Sequence, residues 1–188
     1  MNRRVVVQQW ISVDGFAAGP TDETEIFAGV PEETDRRSME LNEALIPEVD
    51  TVVLGRRSYE AFVRFWPTDL AREVPVAPLV NAVPKLVAST TLIEAPWGDH
   101  APAEVVPDAV ARLRAMRAEP GGIVLVWGSL ALMRALVDAG QVDELDLFVA
   151  PIALGAGTPL LGRPLGLRQI AGEVFPAGGA HLRFAVTG

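Results

Sequence analysis

Cysteine is missing altogether, which excludes disulfides and thiolate metal sites. Histidine is nearly missing: His100 and His181 stand alone, no spaced carboxylate pair accompanies them, and no metal site is expected. Positive charge is in deficit, with 16 Lys and Arg against 24 Asp and Glu and a net charge of −8. That balance argues against a nucleic-acid partner, because affinity for phosphate backbones comes mostly from basic residues releasing counterions. Any basic patch must be local. No apolar run approaches the ~20 residues of a spanning helix, and the opening MNRRVVVQQW is too short an apolar run for a signal peptide. A cytoplasmic protein with no membrane partner is expected. Neither a G-x-G-x-x-G nor a P-loop occurs, so no Rossmann or nucleotide-triphosphatase fingerprint can be invoked.

What is present is a packed chain, 49% apolar and 21% charged, far from the composition of disorder. Its 188 residues fit one domain, 1–188, without repeats. Short Val-, Ile- and Leu-rich runs at 5–13, 51–54, 85–88, 123–127 and 145–152 read as strands covered on both faces. Helical spacing of apolar residues appears between them, at 33–46, 58–66, 108–118 and 130–139. The alternation predicts an α/β fold with a mostly parallel sheet and right-handed crossovers. In AHLRFAVT, Leu182, Phe184 and Val186 share one strand face and His181, Arg183 and Ala185 the other, which predicts an antiparallel ending with one buried side. The segments 19–31, 67–84, 95–107 and 155–166 read as loops.

Two strand-to-helix turns carry the functional signal. In TVVLGRRSYEAF the strand stops at Gly55, which lets a ligand approach the backbone, and Ser58 is placed to cap a helix. Unpaired N–H groups and a partial positive charge at a helix start favour phosphate, and Arg56 and Arg57 add bidentate donors. The plainer reading is that the arginines are solvated or pair with a carboxylate such as Glu60. A second turn, Gly128 and Ser129 in VWGSLALM, repeats the geometry, as many ordinary helix starts also do. Ligands in open α/β sheets lie beyond the carboxyl ends of strands, so two such turns on one edge can hold one extended dinucleotide. Ser89, Thr90 and Thr91 place hydroxyls at a third strand end, for a ribose, a phosphate or water. Trp66, Trp97 and Trp127 suit either a flat heterocycle or core filling. Glu144 is expected to face the substrate or solvent.

The blocks SVDGFAAGP, DTVVLGRRSYEAFVRFWP, KLVASTTL and VWGSLALMRALVDAGQVDELDLFVAPIALGAGTPLL, in that order, resemble the dihydrofolate reductase-like family that includes the C-terminal reductase domain of the bifunctional riboflavin-biosynthesis protein. The likeness spans almost the whole chain. It implies a dihydrofolate reductase-like three-layer αβα sandwich, ending in an antiparallel C-terminal hairpin, that uses NADPH to reduce a pterin-like or aminouracil-type heterocycle. By the same resemblance Gly55, Arg56, Arg57 and Ser58 hold adenosine-side phosphates, one arginine being near the 2′-phosphate. Ser89 and Thr90 touch the ribose or its phosphate, Gly128, Ser129 and Leu130 meet the pyrophosphate, and Val13, Asp14 and Gly15 border the nicotinamide. The proton donor is left among Asp14, Glu25, Asp35 and Glu40. No deaminase region accompanies the reductase-like one in these 188 residues, so the substrate is not fixed by the resemblance. The rival reading is a nucleotide- or pterin-binding protein that kept the fold without turnover.

The apolar stretch PIALGAGTPLLGRPLGL and the C-terminal hairpin offer more hydrophobic surface than a monomer usually keeps, so a homodimer is expected. Size-exclusion chromatography with light scattering should return twice the 20.1 kDa chain mass; a clean single-chain mass removes the dimer.

Overall fold

The computed structural model describes residues 3–187. Its strands, in chain order, are β1 (Arg4–Ser12), β2 (Phe16–Ala18), β3 (Val49–Gly55), β4 (Lys85–Ala88), β5 (Ala95–Trp97), β6 (His100–Val106), β7 (Ile123–Val126), β8 (Glu144–Ala150), β9 (Thr158–Pro159), β10 (Gly166–Val174) and β11 (Ala180–Thr187). The α-helices are α1 (Glu32–Leu45), α2 (Arg56–Phe62), α3 (Ala77–Ala82), α4 (Ala109–Arg117) and α5 (Leu130–Asp138). Nine strands form one sheet in the order β10-β11-β8-β1-β7-β3-β4-β6-β5, while β2 and β9 pair separately. The six strands from β8 to β6 run parallel, and β5, β10 and β11 are antiparallel to their neighbours. This is the expected α/β architecture, parallel at the centre with an antiparallel C-terminal pair.

The central strands explain why the sheet needs two covering layers. Val5, Val7, Val124 and Val126 project to one side and pack with Leu113, Met133 and Leu136 of α4 and α5. Val6, Val52, Leu54, Ile123 and Leu125 project to the other and pack with Ile46, Tyr59 and Val80 on the side of α1, α2 and α3. A run without polar alternation is thus read out as a strand with two dry faces. Four segments read as loops contain regular structure. Residues 67–84 hold α3, 95–107 hold β5 and β6, and 19–31 hold a 3₁₀ helix, Glu23–Gly29. The loop read at 155–166 contains β9 and runs into β10, a strand exposed along almost its whole length and therefore without a hydrophobic signature.

The polar face expected on β11 is also revised. Arg183 reaches the buried carboxylate of Glu144 (2.6 Å), which Arg4 contacts as well (2.5 Å), so Glu144 is a structural anchor and faces neither solvent nor a substrate. His181 stacks on Phe148 and pairs with Asp146, leaving its side chain only 12% exposed. At the amino-terminal rim of the sheet, buried Lys85 donates to the carbonyls of Asn81 and Val83 (2.7 Å each), closing the end of α3, and lies 4.7 Å over Trp97. Removal from water pushes its ammonium down to about 8.

The strand-to-helix turns after β3 and β7 touch. Gly55 N–H donates to the Gly128 carbonyl at 2.7 Å. A Cβ on Gly55 would come within 2.5 Å of Ser129 Oγ and 3.0 Å of its backbone nitrogen, while one on Gly128, at φ +120°, would lie 2.4 Å from Ser58 Oγ. Glycine is required at both positions, once for space and once for space and backbone sign. Gly55→Ala should therefore destabilise the fold by about 1–3 kcal/mol, as overpacking does, lowering Tm by a few degrees or more for a chain of this size. Ser129→Gly in the same chain should recover part of the loss; an unchanged Tm in Gly55→Ala would mean that the turns are not in contact.

Candidate functional site

A cleft of about 980 Å³ opens at the carboxyl end of the central strands. Its position follows from the topology, since β1, β3 and β7 end side by side and each hands the chain to a turn there. Arg56, Arg57, Ser58, Gly128, Ser129 and Leu130 all line it, so the two turns recognised in the sequence do converge. Gly55 lies buried behind them, where its missing side chain lets the second turn approach.

Local details differ from the expectation. Gly55 itself is the N-cap of α2, so Ser58 falls inside the helix, where it makes no capping bond and sits beside Gly128. Helix α2 spans only seven residues, and the positive field at this turn comes chiefly from the guanidinium groups. The arginines have different tasks. Arg56 donates to Glu60 (2.7 Å) and to the Thr91 hydroxyl (2.8 Å), which realises the Glu60 pairing and ties the turn to the end of β4. Arg57 has no hydrogen-bond or ion-pair partner among the described residues and faces the cleft as an unspent cation. Ser89 and Thr90 do not line the cleft; Ser89 Oγ accepts from the amides of Thr91 and Leu92 and shapes the turn that presents Thr91.

The candidate acids separate by environment. Asp14 accepts from Ser12 Oγ (2.5 Å) and from the amides of Gly155 (2.7 Å) and Leu154 (3.1 Å). These bonds, the Ser12 hydroxyl first, hold its carboxyl at about 2, and the ionised group staples the turn after β1 to residues 154–155. Val13 and Gly15 flank that staple, Val13 being 61% exposed, and neither lines the cleft. Glu40 is spoken for by Arg36 and by Arg37 (2.9 Å), the latter also bidentate to Glu173. Glu25 likewise lies outside the cleft lining. Asp35, by contrast, lines the cleft from α1, and partial removal from water raises its carboxyl above the ordinary value. Met39 and Asn42, four and seven residues on, share its helix face; the Oδ1 of Asn42 is buried without a partner among the described residues.

Aromatic walls complete the site and were only partly foreseen. Trp127 and Trp66 stack at 6.4 Å with Phe62 edge-on, and Phe148 stacks on Trp10 at 5.1 Å. Trp97 is instead core, its indole bonded to Asn81. The sequence reading missed Gln8, Trp10, Asn42 and Phe148. The signal for Gln8 was available: two glutamines interrupt the apolar run VVVQQW in a strand covered on both faces.

The chain has relatives both in sequence and in fold. It is 24% identical over 183 residues to an uncharacterized protein, YyaP, of Bacillus subtilis (strain 168), covering 94% of this chain and 91% of that one. A putative riboflavin biosynthesis protein from Shewanella sp. PV-4 superposes with a TM-score of 0.76 at 21% identity, over 98% of this chain and 99% of the other. Dihydrofolate reductase from Enterococcus faecalis, complexed with NADP(H) and RAB-propyl, gives a TM-score of 0.57 at 13% identity, over 98% of this chain and 97% of the other. These likenesses establish the fold. The family profile of the RibD C-terminal domain matches residues 3–184, and with nearly its whole length accounted for in this way the chain belongs to that family.

Proposed function

We propose that the protein is an NADPH-dependent reductase that reduces a small planar heterocycle of pterin or aminouracil type. The observation that carries this reading is the contact between the Gly55 and Gly128 turns, with unpaired Arg57 on the same cleft wall as Ser129 and Leu130. Bare amides and a free guanidinium suit the phosphates of a dinucleotide, and a guanidinium suits a 2′-phosphate better than a ribose hydroxyl. Arg57, Ser58, Gly128, Ser129 and Leu130 form the cradle, with Gly55 buried behind it and Arg56 bracing it from Thr91. Asn42 Oδ1 offers an acceptor that no donor among the described residues uses. Bound there, a reduced nicotinamide supplies the hydride.

The protein's own part is to bind, orient and protonate. Trp127, Trp66 and Phe148 flank the slot and displace water from a flat ring. Asp35 is the proton donor: its raised affinity for the proton keeps part of it protonated closer to neutral pH than an ordinary carboxyl. Asp14, Glu40 and Glu25 are not needed for that step, Asp14 serving to fix the loop. Val13, Gly15, Ser89 and Thr90 act as supports of the turns that carry the site. We further read the protein as a cytoplasmic homodimer, since edge strand β10 exposes Leu167, Ile170 and Val174. No helix among the described residues is long and apolar enough to cross a membrane.

The reading is tested by titrating NADPH against its nicotinamide fluorescence and then following its oxidation with dihydrofolate and aminouracil substrates. Saturable binding without oxidation would favour the non-catalytic rival, and no binding would remove both. Arg57→Ala should raise the Michaelis constant for NADPH about tenfold or more, as loss of a charged hydrogen bond does, and hardly change that for NADH; equal effects would move the 2′-phosphate away from Arg57. Asp35→Asn should lower kcat by about 10²-fold or more with little change in NADPH affinity. In the parent protein the rate should fall as pH rises through the Asp35 pKa, because the protonated form is the donor. A variant with the same pH profile would show that another group supplies the proton.

A further inference from the structure

A row of buried polar groups crosses the floor of the cleft. Parallel pairing places Gln8 of β1 opposite Asp146 of β8, and Trp127 follows Val126, the β7 partner of Val7, so the three side chains stand abreast on one sheet face. Trp127 Nε1 donates to Gln8 Oε1, Gln8 Nε2 donates to Asp146 Oδ2 (3.5 Å), and Asp146 Oδ1 pairs with His181 Nε2. Gln8 is 5% exposed and Asp146 3%. The row ends near α1, where Glu173, the β11-facing partner of His181 on β10, accepts from Arg37 (2.8 and 3.0 Å).

Donor and acceptor chemistry leaves this amide one orientation. An indole nitrogen only donates, so Gln8 must turn its oxygen to Trp127; an ionised carboxylate only accepts, so the amide nitrogen must face Asp146. His181 holds that carboxylate in place and is itself fixed by stacking on Phe148 at 4.7 Å. With one lone pair and one N–H used, Gln8 keeps one acceptor and one N–H, on a single planar group lining the cleft between the Trp127 and Phe148 clusters. A buried polar group with unspent capacity beside an open slot is costly unless a ligand completes it. Its complement is a flat ring carrying N–H next to C=O.

We propose that Gln8 is a specificity-determining residue that reads the lactam edge of the heterocyclic substrate, with Asp146 and His181 as positioning residues that set the direction of its amide. This rests on the reductase reading for the existence of such a substrate. The carboxamide of a nicotinamide has the same donor and acceptor pair; the position of Gln8 on the floor, between the two aromatic clusters that flank the slot, assigns it to the substrate ring.

Calorimetric titration of the full chain, with and without NADPH, compares 6-aminouracil with 1,3-dimethyl-6-aminouracil, whose ring N–H groups are blocked. The parent protein should prefer the unblocked compound about tenfold or more, the effect of stranding a buried hydrogen-bonding pair. Gln8→Leu should bring the two affinities together. Asp146→Asn keeps the shape but replaces the carboxylate acceptor of the Gln8 N–H with a weaker neutral one, leaving Trp127 alone to hold the amide firmly; it should shrink the preference part of the way while NADPH titration and circular dichroism report an intact cradle and fold. Equal affinities in the parent, binding of neither compound, or a preference that survives Gln8→Leu overturns the proposal. So does a Gln8→Leu protein that weakens NADPH relative to its 3-acetylpyridine analogue while keeping the uracil preference, an outcome that gives the amide to the coenzyme. A parent that binds no NADPH sinks the reductase reading alone, because the titrations without coenzyme still decide the role of Gln8.

Discussion

The hydrogen bond from Gly55 N–H to the Gly128 carbonyl, 2.7 Å long, is the contact on which the site depends. Adjacent parallel strands always finish near one another, but side chains ordinarily keep their exit turns apart. Two glycines here remove that spacing, and Ser58 and Ser129, the smallest hydroxyl residues, fill what remains. The consequence is a continuous polar rim assembled from segments more than seventy residues apart in the chain, with Arg57 projecting from it and no ion-pair partner for it among the described residues. A net charge of −8 makes that local cation more distinctive, since an anionic ligand approaching elsewhere is repelled.

Hydrogen-bond partners divide the acidic residues more sharply than their sequence positions do. Helix α1 carries several carboxylates with similar local surroundings, yet Glu40 turns to the arginines at its flank and Asp35 to the cleft. Asp14 lies beside the cleft in sequence terms, within the most glycine-rich early turn, and is committed to three donors that keep it ionised. A carboxylate surrounded by donors is a poor source of protons, and one partly desolvated with no donor to hold its charge is a better one.

Sequence patterning made the parallel centre of the sheet legible because β1, β3, β4, β7 and β8 are largely dry on both faces and carry near-continuous apolar runs. It failed at the edges for a physical reason. In β5 and β6, Pro96 and Pro102 sit in short strands at the sheet margin, where a missing N–H is tolerated but resembles a loop signal. Strand β10 is wet on both sides and has no period to detect. In the site, the glycine turns were legible because backbone demands are local, whereas the inward direction of Gln8, Asp146 and His181 is set by neighbours on other strands. Alternation in AHLRFAVT correctly placed Phe184 and Val186 against the core, and it misplaced His181 because the opposite face is also covered.

Lys85, far from the cleft, gives the chain an unusual relation to alkaline conditions. A neutral amine has two N–H groups, and two carbonyls await them at the end of α3, so losing the proton costs the folded protein neither bond. Buried, the group releases its proton near 8, while in the unfolded chain it holds it to about 10.5. Between those values the unfolded state binds more protons than the folded one, and linkage makes this residue's contribution to stability grow as pH climbs. A lysine chosen as the stopper of a short helix thus gives the fold a built-in tolerance of base.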